Sequence, residues 1–139
     1  MALTKIARPQ PQMMGPCAET AQLAAELMEL STSVHKLHLK ITGAGSYAAH
    51  KALNEFYGGM PDIIDAVVEQ YQGAREKLLE FPSVSMKCDT VQDALAHMRD
   101  LYNKTTELQK LMPFSEVTNQ LDEVKSLIAS TKYKLMFLS

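Results

Sequence analysis

Four side chains in the first half of this 139-residue sequence are of the types that hold first-row metals: His38, His50, Asp65 and Glu69. They stand in the runs HLKITGAGSYAAH (38–50) and DAVVE (65–69). The histidines are twelve positions apart and the carboxylates one helical turn apart. Imidazole nitrogen and carboxylate oxygen are donors that iron and zinc take from proteins. On one straight helix, His50 and Asp65 would lie roughly 22 Å apart at about 1.5 Å per residue. One metal centre cannot span that distance. A centre using all four residues must therefore take them from two chains.

The elements that would position these residues are legible as apolar stripes. Leu23, Leu27, Leu30, Val34, Leu37 and Ile41 recur at steps of four and three and predict a helix near 17–42, ended by Gly43 and Gly45. A second helix is predicted near 46–72, capped by Ser46, with Leu53, Tyr57, Met60, Ile64 and Val67 inward. Pro61 is expected to kink it rather than break it. Residues 73–89 lose the period and read as a crossover with room for a short helical piece. Asp89 and Gln92 have capping-box spacing before a third helix near 90–112, which Pro113 stops. Ser115 is read as the cap of a fourth helix near 115–137. The connections are short, long, short. A long second link lets helices two and three run parallel, the arrangement of ferritin-like bundles rather than of simple up-down-up-down ones.

Taking His50 as zero on the second helix, Asn54 lies near 40°, Asp65 near 60° and Glu69 near 100°, at about 100° per residue. One broad face thus carries the histidine at one end and the carboxylates at the other. A second copy crossing antiparallel at Gly58–Gly59 would set His50 opposite the mate's Glu69, and Asn54 opposite its Asp65. Glycines at the crossing would let the backbones approach. Such an isologous dimer makes two equal sites, each with two histidines from one chain and two carboxylates from the other.

Composition narrows the classes. With 46% hydrophobic and 22% charged residues, the chain suits a single helical domain preceded by an arm over residues 1–15. A net charge of −2, with only Lys5 and Arg8 on that arm, gives few phosphate partners, so strong DNA binding is not expected. No apolar run reaches the roughly 18 residues of a membrane span, and the start lacks a secretory pattern, so a cytoplasmic location is the expectation. Cys17 and Cys88 show no metal-binding spacing and are read as reduced thiols. His35 stands one turn from His38 and could extend the site but is read as solvent-exposed, His97 lacks a partner at metal spacing, and the nine methionines read as core filler.

The stretch from His38 to Gly73 resembles the Dps family of mini-ferritins. His38, His50, Asp65 and Glu69 fall on that family's metal-binding positions, and Gly43 on the glycine of the helix corner. The resemblance implies a ferritin-like four-helix subunit, an oligomeric shell and an iron-oxidising centre shared across a two-fold interface of the second helix, with zinc as the alternative metal. HKALNEFYGG (50–59) and LDEVKSLIASTKYKLMFL (121–138) also look like a group of short, phage-encoded ferritin-like proteins. That second resemblance implies a structural or interaction protein with a vestigial or zinc site. Three departures stand out. Asn54 occupies the position of an additional carboxylate, which makes it a further, neutral candidate ligand. Leu39 stands where many Dps members carry Trp, and the second helix contains the unusual run GGMP.

Overall fold

The computed structural model describes residues 16–138, and the arm expected over 1–15 lies outside the described residues. The described chain is all-helical: α1 (Cys17–His38), α2 (Ser46–Arg75), α3 (Val91–Leu111) and α4 (Ser115–Phe137). The predicted stripes are the buried faces. Leu30, Val34, Leu37, Leu53, Met60, Met98, Leu121 and Ile128 are fully enclosed, joined by Phe56, Leu101 and Tyr71. Each such side chain contributes about 1.5–3 kcal/mol by leaving water.

Several boundaries differ from the sequence expectation, each for a local reason. α1 stops at His38 rather than near 42, because its last turn tightens: the Leu39 and Lys40 amides donate to the Lys36 and Leu37 carbonyls. Gly43 (φ +98°) and Gly45 (φ +78°) then turn the chain in the left-handed region that a side chain would strain. Gly45, not Ser46, occupies the cap of α2. Phe114, not Ser115, precedes α4, and no side chain caps that helix. The capping box of α3 pairs Thr90 with Asp93, one residue beyond the predicted Asp89–Gln92 pair. α2 runs from Ser46 to Arg75 with Pro61 inside it, and the link that follows forms no helical piece.

Side-chain contacts fix the directions of the helices. Tyr71 meets Cys17 at one end of the α1–α2 pair and His50 meets His38 at the other, so these helices are antiparallel. Glu26 meets Lys104 while Lys40 meets Asp89, so α1 and α3 are antiparallel. Lys134 meets Glu55 and Phe114 meets Tyr71, so α2 and α4 are antiparallel. Gln109 bonds Asp122 while Arg99 reaches Met136, which makes α3 and α4 antiparallel too. It follows that α2 and α3 run parallel, across the diagonal of the bundle. The link from Glu76 to Thr90 therefore returns the length of the molecule. It lies along α1, with Phe81 and Pro82 beside Ala25 and Met28, and Lys87 to Asp89 beside Lys36 and Lys40. Leu79, Met86 and Cys88 anchor it in the core.

Two outcomes follow from this packing. Glu26 is 7% exposed and takes both its contacts from the Lys104 ammonium at 3.1–3.2 Å. Burial works against the Lys104 charge, but hydrogen bonds to Glu26 and Asp100 outweigh it and hold the ammonium above the ordinary lysine range. A raised lysine stabilises the fold at neutral pH, and that contribution is lost only as strongly alkaline solution passes through the raised value. Lys104→Ala strands a buried carboxylate and is expected to cost about 2 kcal/mol. Adding Glu26→Gln should recover part of that loss, and urea unfolding midpoints measure both. Cys88 gives the second outcome. Burial, then the nearby Asp93 and Asp89, push its thiol up to about 11 from the ordinary 9.0. Its thiolate is disfavoured in the folded chain, so stability should fall as pH climbs from 9 towards 11. Iodoacetamide at pH 8 should label Cys88 far more slowly in native protein than in urea, as peptide mass analysis would show; equal rates would refute its burial.

Candidate metal centre

The last turn of α1 and the first turns of α2 meet in a reciprocal histidine pair. His50 Nδ1 lies 2.8 Å from the His38 carbonyl oxygen, and His38 Nδ1 lies 3.3 Å from that of His50. The two rings stack with centroids 3.9 Å apart and planes 22° from parallel. Because α1 ends at His38, that residue's carbonyl has no amide four residues on to satisfy it within the helix. The His50 ring supplies the missing donor. A carbonyl oxygen only accepts, so Nδ1 is the donor in each contact, and in the neutral Nδ1–H tautomer the lone pair lies on Nε2. That is the orientation metal-binding histidines adopt, with one nitrogen anchored to the backbone and the other presented outward.

Around the His38 Nε2 atom two further polar groups gather. Tyr57 Oη stands 3.1 Å from it, and 2.7 Å from Asn54 Oδ1. Asn54 and Tyr57 are three residues apart on α2, hence on one face. His35, one turn before His38, lies flat on the Tyr57 ring with centroids 3.9 Å apart and planes 8° from parallel. The phenol is thereby held between α1 and α2, half-buried, with its hydroxyl directed at His38. His38 itself is 8% exposed, whereas Asn54 faces solvent. The negative end of the α1 dipole, at His38, favours a cation in this position.

Asp65 and Glu69 are placed elsewhere. Both are exposed on α2, and Asp65 edges a shallow cleft with Met28, Ser31 and Pro61. α2 is one continuous helix from 46 to 75, so the separation from His50 stays roughly 22 Å. Among the described residues, no three His, Cys, Asp or Glu side chains come together as a metal-holding group. Within one chain the structure thus unites His38, His50 and Asn54 but leaves the two carboxylates apart. Of the two glycines expected at the helix crossing, only Gly58 is open. A Cβ on Gly59 would come 3.2 Å from Leu127, so Gly59 packs against α4 of its own chain.

Sequence reasoning placed Tyr57 on the core stripe and so missed its hydroxyl, whereas His35 is exposed as expected and extends the cluster by stacking on that ring. The signal was present: Tyr57 lies seven residues after His50 and three after Asn54, on the same face of α2. Nuclear magnetic resonance of 15N-labelled imidazoles tests the arrangement. Both His38 and His50 should show protonated Nδ1 and bare Nε2 at alkaline pH; a protonated Nε2 on His50 would refute the pairing.

The comparisons with known proteins bear on this same region. The chain belongs to a family of unknown function, DUF5856, whose model matches residues 38–135. That span opens on His38 and takes in every candidate ligand. The chain is also similar to an uncharacterized 14.6 kDa protein in the mobD–ri intergenic region of Enterobacteria phage T4. The two are 26% identical over 109 residues, which cover 78% of this chain and 81% of that protein. No solved structure matches the chain. Among the described residues, no helix is long and apolar enough to cross a membrane.

Proposed function

We propose that this DUF5856 member is an iron-binding protein of the mini-ferritin type, with a ferritin-like bundle whose centre is shared between two copies. The observation that carries the reading is the histidine pair, each ring fixed to a backbone carbonyl through Nδ1 and so presenting Nε2. The helix directions add to it: parallel, diagonal α2 and α3 joined by a link that runs the length of the molecule are the arrangement of ferritin-like bundles. Asp65 and Glu69 supply the complementary half. They face solvent, and neither enters an ion pair among the described residues.

In this reading iron(II) is the substrate, to be oxidised by peroxide or dioxygen. His38 and His50 of one copy and Asp65 and Glu69 of its mate would bind it. The imidazoles select a first-row metal, and the carboxylates balance the charge that oxidation adds. Self-association runs through the open face of α2, where Tyr47 is 71% exposed, and a closed shell is the expected end state. Leu39, also 71% exposed, adds apolar area at the same end of the bundle. The relative in phage T4 supports a setting in the phage-infected bacterial cell.

A second reading has its own observation. Both ring nitrogens of His38 already have partners, in the His50 carbonyl and the Tyr57 hydroxyl. The pair would then be a structural clasp between α1 and α2 in a non-catalytic ferritin-like interaction protein, holding zinc or no metal.

Mixing two crippled chains decides between these readings. His38→Ala/His50→Ala chains keep the carboxylates, and Asp65→Ala/Glu69→Ala chains keep the histidines. Neither should bind iron(II) or zinc(II) alone. Unfolded and refolded together, they should regain about a quarter of the wild-type sites, since each mixed dimer holds one intact centre. Calorimetry counts the sites. No recovery in dimers shown to be mixed would sink the shared centre. A wild-type chain that binds neither metal would sink the function and leave the clasp.

A further inference from the structure

A neutral amide at position 54 leaves the centre short of negative charge on the histidine side. The structure holds a replacement in the Tyr57 hydroxyl. We propose that Tyr57, as phenolate, is a further ligand of this centre, completing a three-donor set with His38 Nε2 and Asn54 Oδ1 that selects ferric iron. The inference rests on the metal-binding reading above and names the anion that reading lacks on the histidine-bearing chain.

The spacing of the three atoms supports it. Donors at right angles about one ion, each about 2.1 Å from it, stand about 3 Å apart. Tyr57 Oη is 3.1 Å from His38 Nε2 and 2.7 Å from Asn54 Oδ1. Both are hydrogen-bond lengths that also match the separations of neighbouring ligands on one metal ion, so the three groups could close on a cation with little movement.

Proton counting points the same way. In the neutral tautomer that directs Nδ1–H of His38 at the His50 carbonyl, its Nε2 carries a lone pair. The Asn54 carbonyl oxygen only accepts. Two acceptors therefore face one phenolic proton, which can serve a single partner at a time. Without a cation, a half-turn of the Asn54 amide would present its NH2 to Tyr57 and satisfy the set. With a cation, all three basic atoms point inward, and the phenolic proton leaves to solvent as the metal–oxygen bond forms. His35 stacked on the ring holds Tyr57 in this position through either state. The hard, anionic phenolate oxygen favours Fe³⁺, whereas zinc can rely on the imidazoles.

The test uses the full-length chain and ferric nitrilotriacetate. Iron(III) bound to a phenolate absorbs visible light by charge transfer from the ring, which no imidazole or carboxylate complex of iron reproduces. The wild type should develop this band in proportion to iron bound. Tyr57→Phe keeps the ring that stacks on His35, so it should fold; it should lose the band and bind ferric iron at least about tenfold more weakly. Its zinc(II) affinity should remain close to wild type, and Tyr47→Phe should keep the band. A band that survives in Tyr57→Phe overturns the proposal. So does bound iron with no band in the wild type, if zinc binding still depends on His38 and His50; that result leaves the iron-binding function standing. Absence of any metal binding overturns both.

Discussion

The His38–His50 pair sets the geometry on which the rest of the molecule depends. It ties the last carbonyl of α1 to a ring on α2 across a seven-residue corner, and so fixes the register of the hairpin at its closed end. At the far end Tyr71 meets Cys17. Between these two points the apolar stripes of both helices are brought into line, and α3 and α4 pack against them in the register set by Glu26–Lys104 and Lys134–Glu55. A polar contact does this better than apolar packing alone. Apolar stripes tolerate a slip of one helical turn, because leucine meets leucine again. A slipped pair would leave the His38 carbonyl without its donor and both rings without their anchors, at roughly 1–3 kcal/mol for each buried polar group left unmade.

The contact that fixes register also prepares chemistry. A histidine in solution exchanges its proton between two nitrogens. A backbone carbonyl at one of them removes that freedom and turns the ring into a directed donor. The clasp is what the structure shows, and the proposed metal binding would use the same arrangement, with the clasp as its precondition. Tyr57 has the same double character. Its ring lies between α1 and α2 as packing, while its hydroxyl sits among the polar atoms of the site.

How much of this could be read from the sequence follows from the physics of each feature. The four helices were legible because burial on one side imposes a period near 3.6, and Leu23 to Leu37 or Val117 to Ile128 show it without interruption. The long link was legible as loss of that period. The end of α1 was not, because Ile41 continues the stripe while the backbone has already turned. The last turn tightens at Leu39 and Lys40, and the His38 carbonyl it frees finds its donor on His50, twelve residues away. The caps at Ser46 and Ser115 were misplaced by one residue, since glycine geometry at Gly45 and packing of Phe114 decide those starts instead of a hydroxyl. At the site, residue type exposed His38, His50 and Asn54. Tyr57 was hidden because an aromatic residue on an apolar stripe looks like core until its hydroxyl partners are known.

Assembly is where the helix itself becomes the argument. A continuous α2 keeps His50 and Asp65 roughly 22 Å apart whatever the side chains do, and Pro61 leaves that helix unbroken. The carboxylates can join the histidines only if a second copy brings them, and Gly58 is where such a copy could approach α2 closely. Gly59 is already committed to Leu127 of α4, so the crossing must be offset towards Gly58 and away from the bundle's own α4 side. That offset turns the facing surfaces towards Asn54 and Asp65, which lie within about 20° of each other on the helix. In the proposed dimer, a mate lying on this face would meet it along the line that carries Asn54, Gly58 and Asp65, beside the Tyr57–His38 cluster. The neutral amide would then stand between a phenol of its own chain and the carboxylates of the next, and charge balance would be a property of the pair of chains.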